Sequence, residues 1–272
     1  VSEADTVAET RRPATVDSLR DELHALGVTL GQTLIVHTSL SRLGWVNGGA
    51  IAVIEALTAT LGPSGTLVMP THTTGLTDPS GWCNPPVPES WWQTIRESMP
   101  AFDPRVTPST HMGAVAEAFR PLPGVLRSNH PVGSFAARGP NANSITTGHP
   151  LEDVFGDGSP LGRLEDFEAS ILLLGVEHEN NTSLHLAEAR AFDQRWREQG
   201  SPVMEEGQRV WKRYRERLHD SDDFPWVAEA YVAGGGTVRE SRVGTSLATL
   251  TPMRELVDFA TRWMVEHPGA RV

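Results

Sequence analysis

The chain has 272 residues, with 23 Lys and Arg against 34 Asp and Glu, so its net charge is −11. Hydrophobic residues make up 39%, including 8 Trp and 8 Phe, which is too much large apolar surface for a disordered chain, and the length suits one large α/β domain or two small ones. The acidic balance argues against a nucleic-acid binder, which needs a basic patch, and the single cysteine, Cys83, excludes a disulfide framework and any Cys-rich metal site.

Val1–Pro13 is polar and acidic and lacks the apolar core of a secretory signal. The longest apolar run, around Ile171–Val176, falls far short of the roughly 20 residues a membrane helix needs. The expectation is a soluble, cytoplasmic protein without a membrane or nucleic-acid partner. It is read as a single domain over 1–272, with a flexible lead over 1–14, and self-association is left open.

Val16, Leu19, Leu23 and Leu26 recur at helical spacing and stop at Gly27. Thr33–Val36 reads as a strand running into His37-Thr38-Ser39. Ile51, Ile54, Leu57 and Leu61 mark a second helix closed by Gly62-Pro63, and Gly65–Met69 a second buried strand. This alternation predicts an α/β fold with a mixed central sheet covered by helices. Residues 71–110 are irregular and rich in Gly, Pro, Thr and Trp, with one helical piece near Glu89–Met99; a long irregular stretch in a compact domain marks function. Further on, Met112–Arg120 reads as helix, Ser170–Val176 as a buried strand and Thr182–Ala191 as helix. Val210–Arg215 alternates like a strand, Val227–Tyr231 is helical and Gly236–Val243 extended. Thr251-Pro252 suits a helix start, with the hydroxyl as cap and proline in the first turn.

Four clusters could carry chemistry. In Gly175–Glu188 a buried strand enters a polar loop and then a helix, the place where α/β proteins hold ligands. His185 and Glu188, three apart, share a helix face, and Thr182 lies one turn earlier. An imidazole beside a carboxylate and a hydroxyl suits proton transfer at neutral pH, and a helix start offers amides to an oxyanion. An ordinary surface His–Glu pair fits the same pattern. A zinc site is disfavoured, because His178 and His185 are seven apart and no His-Glu-x-x-His is present. The loop His37-Thr38-Ser39-Leu40-Ser41-Arg42 before Gly48-Gly49 could hold a phosphate-bearing cofactor, although a plain strand–loop–helix connection fits too. Arg127 and His130, followed by Ser134 and Arg138, could neutralise a phosphate or simply pair with surface carboxylates. Asp220-Ser221-Asp222-Asp223, with Asp78, Glu177 and Glu179 elsewhere, is either a solvated turn or part of a polycation site.

Six long segments in one order are far more specific than any of these clusters. They are LIVHTSLSRLGWVNGGA, EALTATLGPSGTLVMPTHT, MPAFDP with TPSTHMGAVAEAFR, GVLRSNHPVGSFAARGPNA, ILLLGVEHENNTSLHLAEARA and VGTSLATLTPMRELVDFATRWM. Together they resemble the aminoglycoside 3-N-acetyltransferase family over about residues 17 to 265. The resemblance implies transfer of acetyl from acetyl-CoA, as co-substrate and without a metal, to the 3-amino group of the 2-deoxystreptamine ring of aminoglycosides. It implies His185 as general base, Thr182 near the oxyanion or thiolate, and Glu188 orienting the imidazole. It also implies CoA-facing elements at His37, Thr38, Ser39, Arg42, Arg127 and His130. The acceptor would meet carboxylates among Asp78, Glu177, Glu179, Asp220, Asp222 and Asp223, with Glu177 standing where the family often has a small residue. Cys83 lies outside the matching motifs. The competing expectations are an N-acetyltransferase for another amine, a polycation-binding protein and a metal-dependent hydrolase.

Overall fold

The computed structural model describes residues 3–192 and 196–268. The segment expected to be flexible carries an exposed helix, α1 (Glu3–Glu9), and Ala14 makes a parallel bridge to Val46. Helix α2 (Val16–Leu26) starts in a capping box, in which the Thr15 hydroxyl accepts from the Ser18 amide at 3.2 Å and the Ser18 hydroxyl from the Thr15 amide at 2.9 Å. It ends at Gly27, whose φ of 111° a side chain would resist. The chain then alternates through β1 (Thr33–Thr38), α3 (Gly49–Leu61) and β2 (Thr66–Pro70). The irregular segment that follows holds the short helix α4 (Trp92–Ser98). After it come α5 (Gly113–Phe119), β3 (Leu126–Arg127), β4 (Phe135–Arg138), α6 (Ala142–Thr146) and α7 (Pro160–Asp166). The last part comprises β5 (Ser170–Leu174), α8 (Leu184–Ala191), β6 (Trp196–Glu205), β7 (Gln208–Arg217), α9 (Phe224–Ala233), β8 (Arg239–Val243), β9 (Ser246–Pro252) and α10 (Met253–Glu266).

Seven strands form one mixed sheet in the order β3-β4-β2-β1-β5-β9-β8. Only β2, β1 and β5 run parallel, and the remaining neighbours are antiparallel. Alternate residues of its strands feed two cores. Leu34, Val36, Leu67, Met69, Leu172 and Leu174 face α2, α3 and α5, while Ile35, Val68, Ile171 and Leu173 face α6 to α10. Burial on both faces is why these strands read as continuous apolar runs. Thr251 and Pro252 do not start a helix: they pair with Ile171 and Ser170 at the end of β9, and α10 begins at Met253 without a side-chain cap. The sheet pairing outweighs the local capping preference.

The hairpin β6–β7 stands apart from the main sheet, pairing Trp196–Glu205 with Gln208–Arg217. Its turn, Glu206-Gly207, has φ of 48° and 79°, both positive as a two-residue type I′ turn requires. The hairpin grips the irregular segment through Phe102 N to Pro202 O at 3.0 Å, Ser201 Oγ to Leu76 O at 2.6 Å and Arg209 Nε to Met99 O at 2.8 Å. These bonds give the 71–110 segment a fixed wall, although its regular structure is confined to α4 and two short 3-10 turns. No described helix is long and apolar enough to cross a membrane.

Candidate active site

Strand β1 connects to β2 on one side and is flanked by β5 on the other, so the chain diverges at the carboxyl ends of β1 and β5. In open α/β sheets that is where ligands bind. His37 ends the buried part of β1, and the turn and helix after β5 supply Glu177 to Glu188. The two meet directly: the Thr182 amide donates to His37 Nε2 at 3.0 Å. Burial first, then the nearby imidazoles of His178 and His185, push the His37 pKa down to about 3. His37 is therefore neutral with its proton on Nδ1, and it acts as an acceptor that ties the end of β1 to the entry of α8.

On α8, His185 Nδ1 lies 2.8 Å from Glu188 Oε2. Glu188 is almost fully buried, and its other oxygen accepts the Asp220 amide at 3.0 Å. A second imidazole, His219, places Nδ1 3.4 Å from the same Oε2. Burial alone would raise the Glu188 pKa, but the hydrogen bonds from His185 and His219 reverse it and hold the group well below its ordinary 4.5. An anionic Glu188 facing Nδ1 favours a proton on that nitrogen of His185. The ring is held by Phe155, stacked at 4.9 Å and 13°, and by Phe224 edge-on at 4.8 Å. Gly133 lets the 154–155 segment pack closely: a Cβ there would stand 2.1 Å from Val154 Cγ2 and 3.2 Å from Phe155 Cε1. His72, partly buried after β2 and packed 5.1 Å from Phe155, has its pKa lowered far below the ordinary value by desolvation first and then by His185.

The helix start does not offer free amides. The N–H groups of Thr182, Ser183, Leu184, His185 and Leu186 donate to His37 Nε2, Asn181 Oδ1, Asn181 O, Thr182 O and Ser183 O respectively. Helix α8 begins only at Leu184, two residues later than the sequence pattern suggests. Among the groups named for an oxyanion, the Thr182 hydroxyl is the one left.

A cavity of about 1320 Å³ reaches Thr182, one turn before this pair; His185 and Glu188 themselves are not among its lining residues. It is lined by His37, Thr38, Ser39, Arg42, Gly49 and Trp45 on one side and by Glu177, His178, Glu179 and Thr182 on the other. Gly175, at φ 71°, lets Arg42 lie close, since a Cβ would sit 2.8 Å from Arg42 Cβ. The Arg42 side chain is exposed at the rim, and Thr38 Oγ1 is buried without a partner among the described residues. The hydroxyls, Arg42 and the start of α3 form the part of the wall that suits an anionic, elongated cofactor, while Glu3, Glu177, Glu179, Glu229 and Glu240 make the rest of the lining acidic.

Arg127 and His130 lie elsewhere. Arg127 Nε donates to Thr71 Oγ1 at 3.1 Å and Ser134 Oγ at 3.0 Å, its Nη2 to Thr71 O at 2.6 Å and its Nη1 to Thr107 O, and it lies over the Phe102 ring. Burial lowers its pKa to about 10. His130 is fully buried; its Nδ1 accepts the Val132 and Gly133 amides and its Nε2 donates to Leu151 O. Neither lines the cavity, because both are consumed in closing loops around β3 and β4. Asp78 likewise holds Arg96 in a two-bond pair at 2.7 and 2.9 Å and caps a turn at Ser80. Burial opposes ionisation there, but the Arg96 and Ser80 bonds win and lower its pKa to about 2. Asp222 is exposed and Asp223 buried at the start of α9. Asp220 Oδ1 accepts the Asp222 amide at 3.0 Å, so the acidic run is a turn docked on Glu188. Its role there was not visible in the sequence, nor were Phe155, Phe224, His72 and His219, which carry no motif.

Among the described residues, one group of possible metal donors converges: His185, Glu188 and His219, within 4.8 Å of one another. Their Nδ1 and carboxylate atoms already satisfy each other by hydrogen bonds.

An imidazole–carboxylate pair thus lies at the carboxyl edge of a mixed sheet, one turn beyond the cavity-lining Thr182. The profile described as Aminoglycoside 3-N-acetyltransferase matches residues 35–265, and the chain belongs to that family. The SPbeta prophage-derived aminoglycoside N(3')-acetyltransferase-like protein YokD of Bacillus subtilis (strain 168) is 44% identical over 98% of both chains. Its crystal structure superposes with a TM-score of 0.96 over 99% of this chain and 100% of that one. Aminoglycoside N(3)-acetyltransferase VII of Streptomyces paromomycinus is 36% identical over 94% of this chain and 93% of its own. A solved AAC-IIIb binary complex with CoASH is 30% identical, with a TM-score of 0.83 over 94% of this chain and 98% of that chain.

Proposed function

We propose that the protein transfers acetyl from acetyl-CoA directly to the 3-amino group of the 2-deoxystreptamine ring of aminoglycosides, with His185 as general base. The observation that carries this reading is the 2.8 Å His185–Glu188 pair one turn beyond Thr182, which lines the cavity. An acceptor ammonium resembles lysine, with a pKa near roughly 10, and has no lone pair for attack until it loses a proton. That first proton is lost to give the free amine; His185 Nε2 takes a second one as the amine's lone pair bonds to the thioester carbon, so that the nitrogen ends neutral in the amide. The tetrahedral oxyanion is met by the Thr182 hydroxyl; then the C–S bond breaks and CoA leaves as thiolate. Glu188 stabilises the imidazolium formed in between. Thr38, Ser39 and Arg42 face the anionic cofactor, and Glu177 and Glu179 border the reacting end of the cavity, while Arg127 and His130 have only the loop-closing roles described above.

One observation favours a second acceptor. Of the carboxylates expected around an acceptor, Asp78 is neutralised by Arg96 and Asp222 lies in solvent, which leaves Glu177 and Glu179 in the cavity wall. That arrangement suits an amine of lower charge. Thiol release from acetyl-CoA, measured with aminoglycosides that carry or lack a free 3-amine and with simple monoamines, separates the two. Turnover that requires the free 3-amine supports the first reading. Turnover with monoamines alone supports the second, and no thiol release with any amine defeats both.

A further inference from the structure

The Glu188 carboxylate serves two imidazoles. His185 Nδ1 and His219 Nδ1 both approach Oε2, at 2.8 and 3.4 Å, while Oε1 accepts the Asp220 amide. His219 comes from the turn after β7, 31 residues from Glu188 in sequence, and its side chain is only 13% exposed. Its ring stands edge-on to Phe155 at 4.8 Å and to His185 at 5.2 Å. With Nδ1 on the carboxylate, its Nε2 is left buried without a hydrogen-bond partner among the described residues. Leaving a polar atom in that state costs stability, so the His219 ring is not explained as packing alone.

We propose that His219 is a positioning residue of the transfer step, dividing the Glu188 carboxylate with His185 so that the base stays free of its proton near neutral pH. This inference rests on the assignment of His185 as base.

The sign does not depend on the charge of His219. If His219 is neutral, its N–H takes part of the acceptor capacity of Oε2, and the imidazolium of His185 is stabilised less. If it is protonated, its positive charge repels that imidazolium directly. A single carboxylate neutralises a single cation, and either way His185 binds its proton less tightly than it would beside an unshared Glu188. Among the described residues, three further imidazoles lie near the pair: His37 and His72 near His185, and His130 near His219. His37 from β1 and His72 after β2 are both coupled to His185 and both kept neutral by burial. From the turn after β7, Asp220 contacts Glu188 through its amide. Among the described residues, Phe155 and Phe224 pack on the His185 ring and carry no charge. The arrangement suits a general base, which is most effective when its proton affinity is close to the working pH.

The test uses the whole protein labelled with ¹⁵N-histidine. The His185 ring signals are identified by their loss in His185→Asn, and their pH midpoint is followed in wild type, His219→Phe and His219→Asn. Phe keeps the ring packed on Phe155 without a donor, and His219→Leu replaces it if the larger ring disturbs folding. Asn restores an N–H near the position of Nδ1. The expected result is a midpoint raised by about half a pH unit or more in the Phe or Leu variant, returning towards wild type in the Asn variant. The acidic limb of kcat/KM should move the same way, with the KM for acetyl-CoA unchanged. Midpoints that coincide in all three proteins, or an Asn variant identical to Phe, overturn the inference. Persistent turnover in His185→Asn would instead defeat the base assignment, and the NMR comparison reads His219 separately from that outcome.

Discussion

Arg127→Ala should act on stability and leave the cofactor site untouched. The guanidinium donates to Thr71 Oγ1, Ser134 Oγ, Thr71 O and Thr107 O, joining three separate stretches of chain. Thr71 O keeps the Ser134 hydroxyl as a second partner at 2.8 Å, so the damage centres on Thr107 O and on the lost contact with Phe102. Hydrogen bonds from a charged donor contribute about 1.5–3 kcal/mol each, part of which offsets taking the guanidinium out of water, so a net loss of about 3 kcal/mol follows. In a chain of this size each kcal/mol lowers Tm by about 2–4 °C, which gives a fall of about 6–12 °C. Arg127→Lys should recover little, because a single ammonium cannot span both carbonyls. Thermal unfolding, with the KM for acetyl-CoA measured well below the transition, checks both halves. A Tm equal to wild type with a raised KM for acetyl-CoA would refute the reasoning and return Arg127 to the cofactor.

Two further outcomes follow from the same geometry. His37→Ala removes the acceptor for the Thr182 amide and should destabilise by about 1–3 kcal/mol in denaturant unfolding, whereas His37→Gln, which can place an oxygen near Nε2, should recover most of it. Asp78→Asn should cost about 1–2 kcal/mol at neutral pH. The Asp78 pKa falls from 3.8 to about 2 on folding, so its contribution is complete above pH 3.8 and lost as pH drops towards 2. The gap between the variant and wild type, followed by unfolding at several pH values, should therefore close across that window, and a gap that persists below it would contradict the pairing with Arg96.

Long buried elements were legible in the sequence because burial on both faces writes a continuous apolar run, as in Thr33–Val36 and Ile171–Leu174, and a helix packed on one face writes a repeat, as in Val16 to Leu26. Strand β6 was not. Glu-Gln-Gly-Ser-Pro has neither alternation nor β-branched residues, and its pairing comes from β7; the local signal was the Glu206-Gly207 turn. Strand β4, four residues long, and helices α6 and α7 lie among glycines and prolines that mask them. At the site, His185 and Glu188 could be paired on sequence because three residues on a helix is a short distance in space. His219 could not, since the fold alone brings it to Glu188. At Arg127, His130 and Asp78, charge and hydrogen-bonding capacity close loops, which residue type alone does not distinguish from ligand contact.

The central claim is that His185 removes the acceptor's proton during acetyl transfer. Rapid mixing of amine with the preformed acetyl-CoA complex of His185→Ala, monitoring the first turnover of thiol release, tests it most directly. A positioned base contributes about 10²–10⁴ in rate, so the account predicts a loss of that size at neutral pH, partly reversed at high pH where free amine is present, with acetyl-CoA affinity and Tm close to wild type. A variant that keeps more than about a tenth of the wild-type rate, well below what loss of a general base removes, would contradict it.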